Sequence, residues 1–136
     1  MTTLAVMGRL EDVVDRAAHE HRFSGVVRVD REGEIELATA CGLANRSLGV
    51  NNTLATRFAI ARGGKGLTAL AVMSLVEEGS IARDFDSRSI GARKRYDAGV
   101  SFRTVHDPDT RLTYTVISNT SEGAWPIARA IAENTG

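Results

Sequence analysis

A chain of 136 residues, 43% hydrophobic and 25% charged, has the make-up of one globular domain long enough to bury a core. Seventeen cations balance seventeen anions, which excludes a nucleic acid or an anionic membrane as a partner held by bulk electrostatics. The single cysteine, Cys41, excludes a disulfide framework and a thiol-rich metal site, and no cofactor is expected. Fifteen of the cations are arginine, a bias that reads as genome composition more than as function. The opening stretch MTTLAVMGRLEDVVDR lacks a basic segment followed by an apolar one, and no apolar run approaches a membrane span. The expected compartment is the cytoplasm.

In chain order, Leu10, Val13, Val14 and Ala17 recur at helical spacing with Glu11, Asp12, Asp15 and Arg16 between them, which predicts an amphipathic helix. FSGVVRVD and IELATACG alternate apolar with polar residues around Gly33, the pattern of a β-hairpin with Val27, Val29, Ile35 and Leu37 on one face. LANRSLGVNNTLATR, with its Asn and Gly, is a polar connector. A second helix is predicted from about Lys65 to Glu78, stopped by Gly79. Leu67, Ala69, Leu70, Ala71, Val72, Met73, Leu75 and Val76 leave it no polar stripe, so it is expected to be buried on more than one side.

IARDFDSRSIGARKR is charged and aperiodic, a loop or linker. AGVSFRTVHDPDTRLTYTVISN forms a second hairpin, with Leu112, Tyr114 and Val116 on one face of its return strand. The last helix surrounds AWPIARAIAE, with Pro126 in its first turn and Trp125, Ala128, Ile131 and Ala132 on one face. The expected fold is an α/β (α+β) sandwich of three layers. A mostly antiparallel sheet from two hairpins carries the terminal helices on one face and the buried apolar helix on the other. The chain divides into an N-terminal half (1–82), a linker (83–95) and a C-terminal hairpin and helix (96–136) within one domain.

FSGVVRVDREGEIELATACGLANRSLGVNNTLATRFAIA, followed by GGKGLTALAVMSLVEEGSI, resembles the opening of the serine β-lactamase and penicillin-binding-protein superfamily. The branch it is most similar to is that of the class C β-lactamase-related proteins and esterases. DAGVSFRTVHDPDTRLTYTVISNTSEGAWPIARAIAE resembles the last two strands and final helix of the same family. The resemblance implies a serine hydrolase with three motifs. In the first, Ser-x-x-Lys, helical i, i+3 spacing sets the lysine amine beside the serine hydroxyl. Lys65 matches that lysine, but Arg62 stands in the serine's place, and no serine or threonine lies within three residues of Arg62. A guanidinium cannot form an acyl-enzyme.

The second motif, Tyr-x-Asn, belongs to a helical region for which the chain has only the short stretch 83–95, and Tyr-x-Asn occurs nowhere in it. The third, Lys/His-x-Gly, falls either at Arg93, Lys94 and Arg95, which loses the glycine, or at Asp97, Ala98 and Gly99, which makes the first residue acidic. The resemblance therefore implies a reduced hydrolase fold without catalysis, either a natural shortened paralogue or an engineered core.

Two other uses of these residues are open. Arg62, Gly63, Gly64 and Lys65, with Asp97 and Gly99, could form an anion site for a carboxylate or phosphate, since helix N-termini favour anions. The blander reading is that Arg62 and Lys65 are solvated. An apolar helix without its family cover also favours association, so a homo-oligomer, a two-fold dimer, is expected. GGKG is not a phosphate-binding P-loop, because Gly66 stands where Ser or Thr is required and Ala59 where the first glycine belongs. His106, His19 and His21 read as solvated, Ser24 and Ser118 as structural, and Trp125 as core; no metal is expected.

Overall fold

The computed structural model describes residues 3–60, 63–80 and 95–135, with side chains described for 8–60, 63–80 and 98–135. Among the described residues three helices and seven strands follow the order α1 (Thr3–Glu20), β1 (Gly25–Arg31), β2 (Glu34–Cys41), β3 (Leu43–Asn45), β4 (Val50–Asn51), α2 (Gly64–Glu77), β5 (Arg95–Asp97), β6 (Val100–Asp107), β7 (Leu112–Ser118) and α3 (Ala124–Thr135). Five strands form one antiparallel sheet in the order β2-β1-β7-β6-β5, and β3 with β4 makes a small second ribbon. The α+β class, the two hairpins and the terminal helices on one face are as the sequence predicts. β5 is an addition at the edge of the sheet, where the sequence pattern shows only a charged stretch.

The core lies between the sheet and the α1–α3 pair. Leu10, Val14, Ala17 and Ala18 of α1 meet Val27, Val29, Leu37, Leu112, Tyr114 and Val116 of the sheet and Ala124, Trp125, Ile127, Ala128 and Ile131 of α3. Period-2 alternation in β1 and β7 and period-3.6 recurrence in the helices turn these residues inward. Ile127, which the sequence reading leaves out of the α3 face, is fully buried, whereas Ala132 is exposed.

The first hairpin closes through Glu32 and Gly33, both at positive φ (53° and 87°), the two-residue turn whose twist matches its strands. A bulge follows. Val29 pairs with Leu37 but Asp30 pairs with Ile35, so Glu36 is the extra residue. This corrects the expected register: Leu37 stays in the core, while Ile35 moves to the opposite face, 52% exposed. The bulged Glu36 accepts a 2.7 Å hydrogen bond from Arg31 Nε, and Arg31 Nη1 donates to the Thr110 carbonyl.

α2 is the main departure. It ends as the sequence predicts, in a Schellman motif: Gly79 lies at φ 74°, its N–H donates to the Val76 carbonyl and that of Ser80 to the Leu75 carbonyl. Yet none of its described residues is buried, and Leu67 and Leu70 are 62% and 63% exposed. The expected buried apolar helix is thus an exposed one. Apolar composition shows that a helix needs cover, not that cover is present, and no described strand or helix packs along its length.

Two backbone positions carry opposite expectations. At Gly25 an added Cβ would stand 1.9 Å from the Ile117 carbonyl oxygen of the neighbouring strand. Gly25→Ala should therefore cost roughly 2 kcal/mol or more in urea unfolding. Arg22 closes α1 at φ 48°, with the Phe23 N–H donating to the Ala18 carbonyl. A glycine there avoids the Cβ penalty, so Arg22→Gly should gain about 1 kcal/mol in the same measurement.

The β6–β7 turn adds a pH dependence. The Thr110 hydroxyl and the Asp109 N–H donate to the Asp107 carboxylate and hold its pKa below the usual aspartate range. A depressed carboxylate stabilises the fold above its unfolded pKa, and that contribution is lost as pH falls through the lower folded value. Urea unfolding from pH 6 to pH 2 should show the parent more stable than Asp107→Asn at the upper end, with the gap closing toward acid.

Candidate functional site

The start of α2 is built from glycine. Gly63 caps the helix in a right-handed conformation with no side-chain cap, and its N–H donates to the Ile60 carbonyl at 2.8 Å. A Cβ on Gly63 would lie 2.7 Å from the Phe102 ring, so only glycine lets the helix start approach β6 this closely. Phe102 pairs with Arg95 on one side and Ile117 on the other, which sets the start of α2 over the sheet face opposite α1 and α3. Gly64 has open space around it and accepts a hydrogen bond from the Thr68 hydroxyl at 3.1 Å. Lys65 is exposed in the first turn of α2.

Arg62 lies outside the described residues, as do Arg93 and Lys94. Asp97 ends β5 opposite Val100, and Ala98 and Gly99 form the turn between them. Gly99 is at φ 80° and its N–H donates to the Ser121 hydroxyl at 2.9 Å. The second placement of the third motif thus straddles a strand end and a turn. Of the donors expected to receive an anion, the N–H groups of Gly63 and Gly99 already have protein acceptors.

The buried hydroxyls are engaged in a structural knot. Ser118, fully buried, donates to the Ser24 carbonyl at 2.7 Å. Ser24 donates to the Leu43 carbonyl and accepts from Asn52 Nδ2, which also donates to the Cys41 carbonyl. Asn119 Nδ2 donates to the same Leu43 carbonyl at 2.7 Å. Ser101, also fully buried, donates to the Thr120 carbonyl and accepts the Ala124 N–H, capping α3 from another strand. The sequence pattern places Ser101 between the apolar Val100 and Phe102, so this cap was not legible there. None of these hydroxyls is hydrogen-bonded to a histidine or a lysine among the described residues.

Cys41 is no substitute nucleophile. It is half-buried, and burial pushes its thiol pKa up, with the Asp15 carboxylate adding to the effect against a hydrogen bond with Thr39. His106 is exposed on β6 with Nδ1 2.8 Å from the Thr113 hydroxyl, a cross-strand contact. His19 and His21 are exposed, and no cluster of three metal-ligating side chains occurs among the described residues. No helix of the described residues is long and apolar enough to cross a membrane.

No family model and no solved structure matches the chain. It is 41% identical over 81 residues to Esterase EstB of Burkholderia gladioli, a match that covers 59% of this chain. The same match covers 21% of the esterase, so the chain spans about a fifth of that relative's length. Part of this chain is therefore similar to part of a hydrolase.

Proposed function

We propose that the chain is a reduced form of the serine β-lactamase and penicillin-binding-protein-like hydrolase fold, from which acyl-transfer chemistry has been lost. The similarity to an esterase supports the hydrolase origin. The antiparallel sheet backed by its two terminal helices agrees with the core that such an origin implies. Lys65, in the first turn of α2, is the remnant of a Ser-x-x-Lys pair.

The observation that carries the loss of chemistry is Arg62 at the nucleophile's place in the sequence, with no hydroxyl within three residues of it. A covalent mechanism needs a nucleophile within hydrogen-bond reach of its base. The nearest hydroxyl along α2, that of Thr68, is turned back onto its own helix at the Gly64 carbonyl. With no hydroxyl hydrogen-bonded to it among the described residues, the Lys65 amine contributes a charge and no reaction.

Hydrolysis of p-nitrophenyl acetate and of a chromogenic β-lactam tests the reading. The expected rate equals that of a Lys65→Ala control at the same protein concentration. Turnover well above the control would show that a nucleophile survives and would overturn the proposal.

A further inference from the structure

The end of α1 and one side of α3 enclose a cavity of about 450 Å³, open to solvent and in the size range that holds a small molecule. Its floor is apolar: Ala17, Trp125, Pro126 and Ala130 are buried or half-buried. Its rim is charged: Glu20, His21, Glu122, Arg129 and Glu133 are exposed. On both helices the lining residues recur at spacings of three and four, which makes each contribution a single helical stripe. The charges are sorted along the cavity. Gly25 pairs with Ser118, so α1 ends and α3 begins at the same end of the sheet, and Glu20 and Glu122 share one end of the cavity. Arg129 stands about two turns further on, roughly 10 Å along α3. The floor of Trp125 and Pro126 lies between. The ion pairs of the described residues lie elsewhere, at Arg28–Asp30, Arg31–Glu36 and Arg111–Glu32. The rim charges therefore do not neutralise one another.

We propose that this cavity binds an ω-amino acid, a molecule with an ammonium at one end, a carboxylate at the other and an apolar chain between them. Each part of such a ligand has its counterpart. Glu20 and Glu122 receive the ammonium. The methylene chain lies over the floor, where Trp125 offers an aromatic surface to the carbons next to the cation. Arg129 takes the carboxylate through the paired N–H groups of its guanidinium. The spacing excludes an α-amino acid, whose two charges are adjacent and cannot reach both ends. A plain amine leaves Arg129 without a partner, and a plain carboxylic acid brings its charge among three carboxylates. Glu133, one turn beyond Arg129, is the one rim charge that opposes the ligand, because it stands nearest the carboxylate end.

Charge contacts at an open rim are each worth little in water, and a flexible chain loses entropy on binding, so the dissociation constant is on the order of 1 mM.

Trp125 is the single tryptophan of the chain, so its fluorescence reads occupancy of the cavity. Titration of the full chain with 6-aminohexanoate, paralleled by calorimetry, should show saturable binding of one molecule per chain. Hexylamine, hexanoate and leucine should each bind about fivefold more weakly or worse. The double variant Glu20→Gln, Glu122→Gln should weaken 6-aminohexanoate about fivefold and leave hexanoate no weaker. Arg129→Gln should weaken 6-aminohexanoate by a similar factor and leave hexylamine no weaker. Glu133→Gln should tighten 6-aminohexanoate about twofold. These side chains are exposed, and circular dichroism checks that each variant keeps its fold. No saturable binding by either method up to about 50 mM, equal affinity for hexylamine or hexanoate, or binding indifferent to the charge variants would each overturn the proposal.

Discussion

The buried hydrogen bond from the Ser118 hydroxyl to the Ser24 carbonyl joins residues 94 positions apart and fixes how the two halves of the chain meet. It sits where β1 begins and β7 ends, and Gly25 beside it lets the two backbones close without a side chain between them. From this joint the β1–β7 pairing runs without a register break to Arg31 and Leu112. Val27, Val29, Tyr114 and Val116 are thereby aligned on one face for α1 and α3 to cover. The same knot ties Leu43 to Ser24 and Asn119, so the start of the connector toward α2 hangs from it. Buried polar groups with most partners present are costly to disturb singly, which makes this cluster a point of specification as well as of strength.

The sheet core was legible in the sequence because alternation and helical recurrence are printed directly in Val27, Val29, Leu112, Tyr114 and Val116 and in Leu10, Val14 and Ala17. What escaped is what periodicity does not encode. A one-residue bulge at Glu36 reverses the face of Ile35, and no local signal marks it apart from the chance to pair with Arg31. Ser101 reads as an outward polar residue and is fully buried because a carbonyl and a helix N–H converge on it from elsewhere in the chain. β5 offers three residues to pairing, too few for a pattern to emerge from Arg95, Tyr96 and Asp97.

The candidate site was legible only as a motif, and the motif is half missing. Lys65 and the glycines around it fall at a helix start as their spacing requires, and the approach of Gly63 to Phe102 gives that glycine a packing reason that owes nothing to catalysis. The burial of α2 failed as an expectation because an apolar sequence reports the environment a helix suits, while its exposure depends on which other surfaces are at hand.

The central position of β1–β7 also bears on how the chain folds. The β1–β2 hairpin is complete by Cys41, but the strand that flanks β1 on its other side starts at Leu112. Closing so long a loop carries a large entropic penalty before any contact rewards it, and such topologies fold slowly. On the ribosome, β1 must wait with its edge unpaired until β7 emerges. For that interval the exposed strand and the apolar α2 stand together on one incomplete chain, the condition under which misassembly competes with folding.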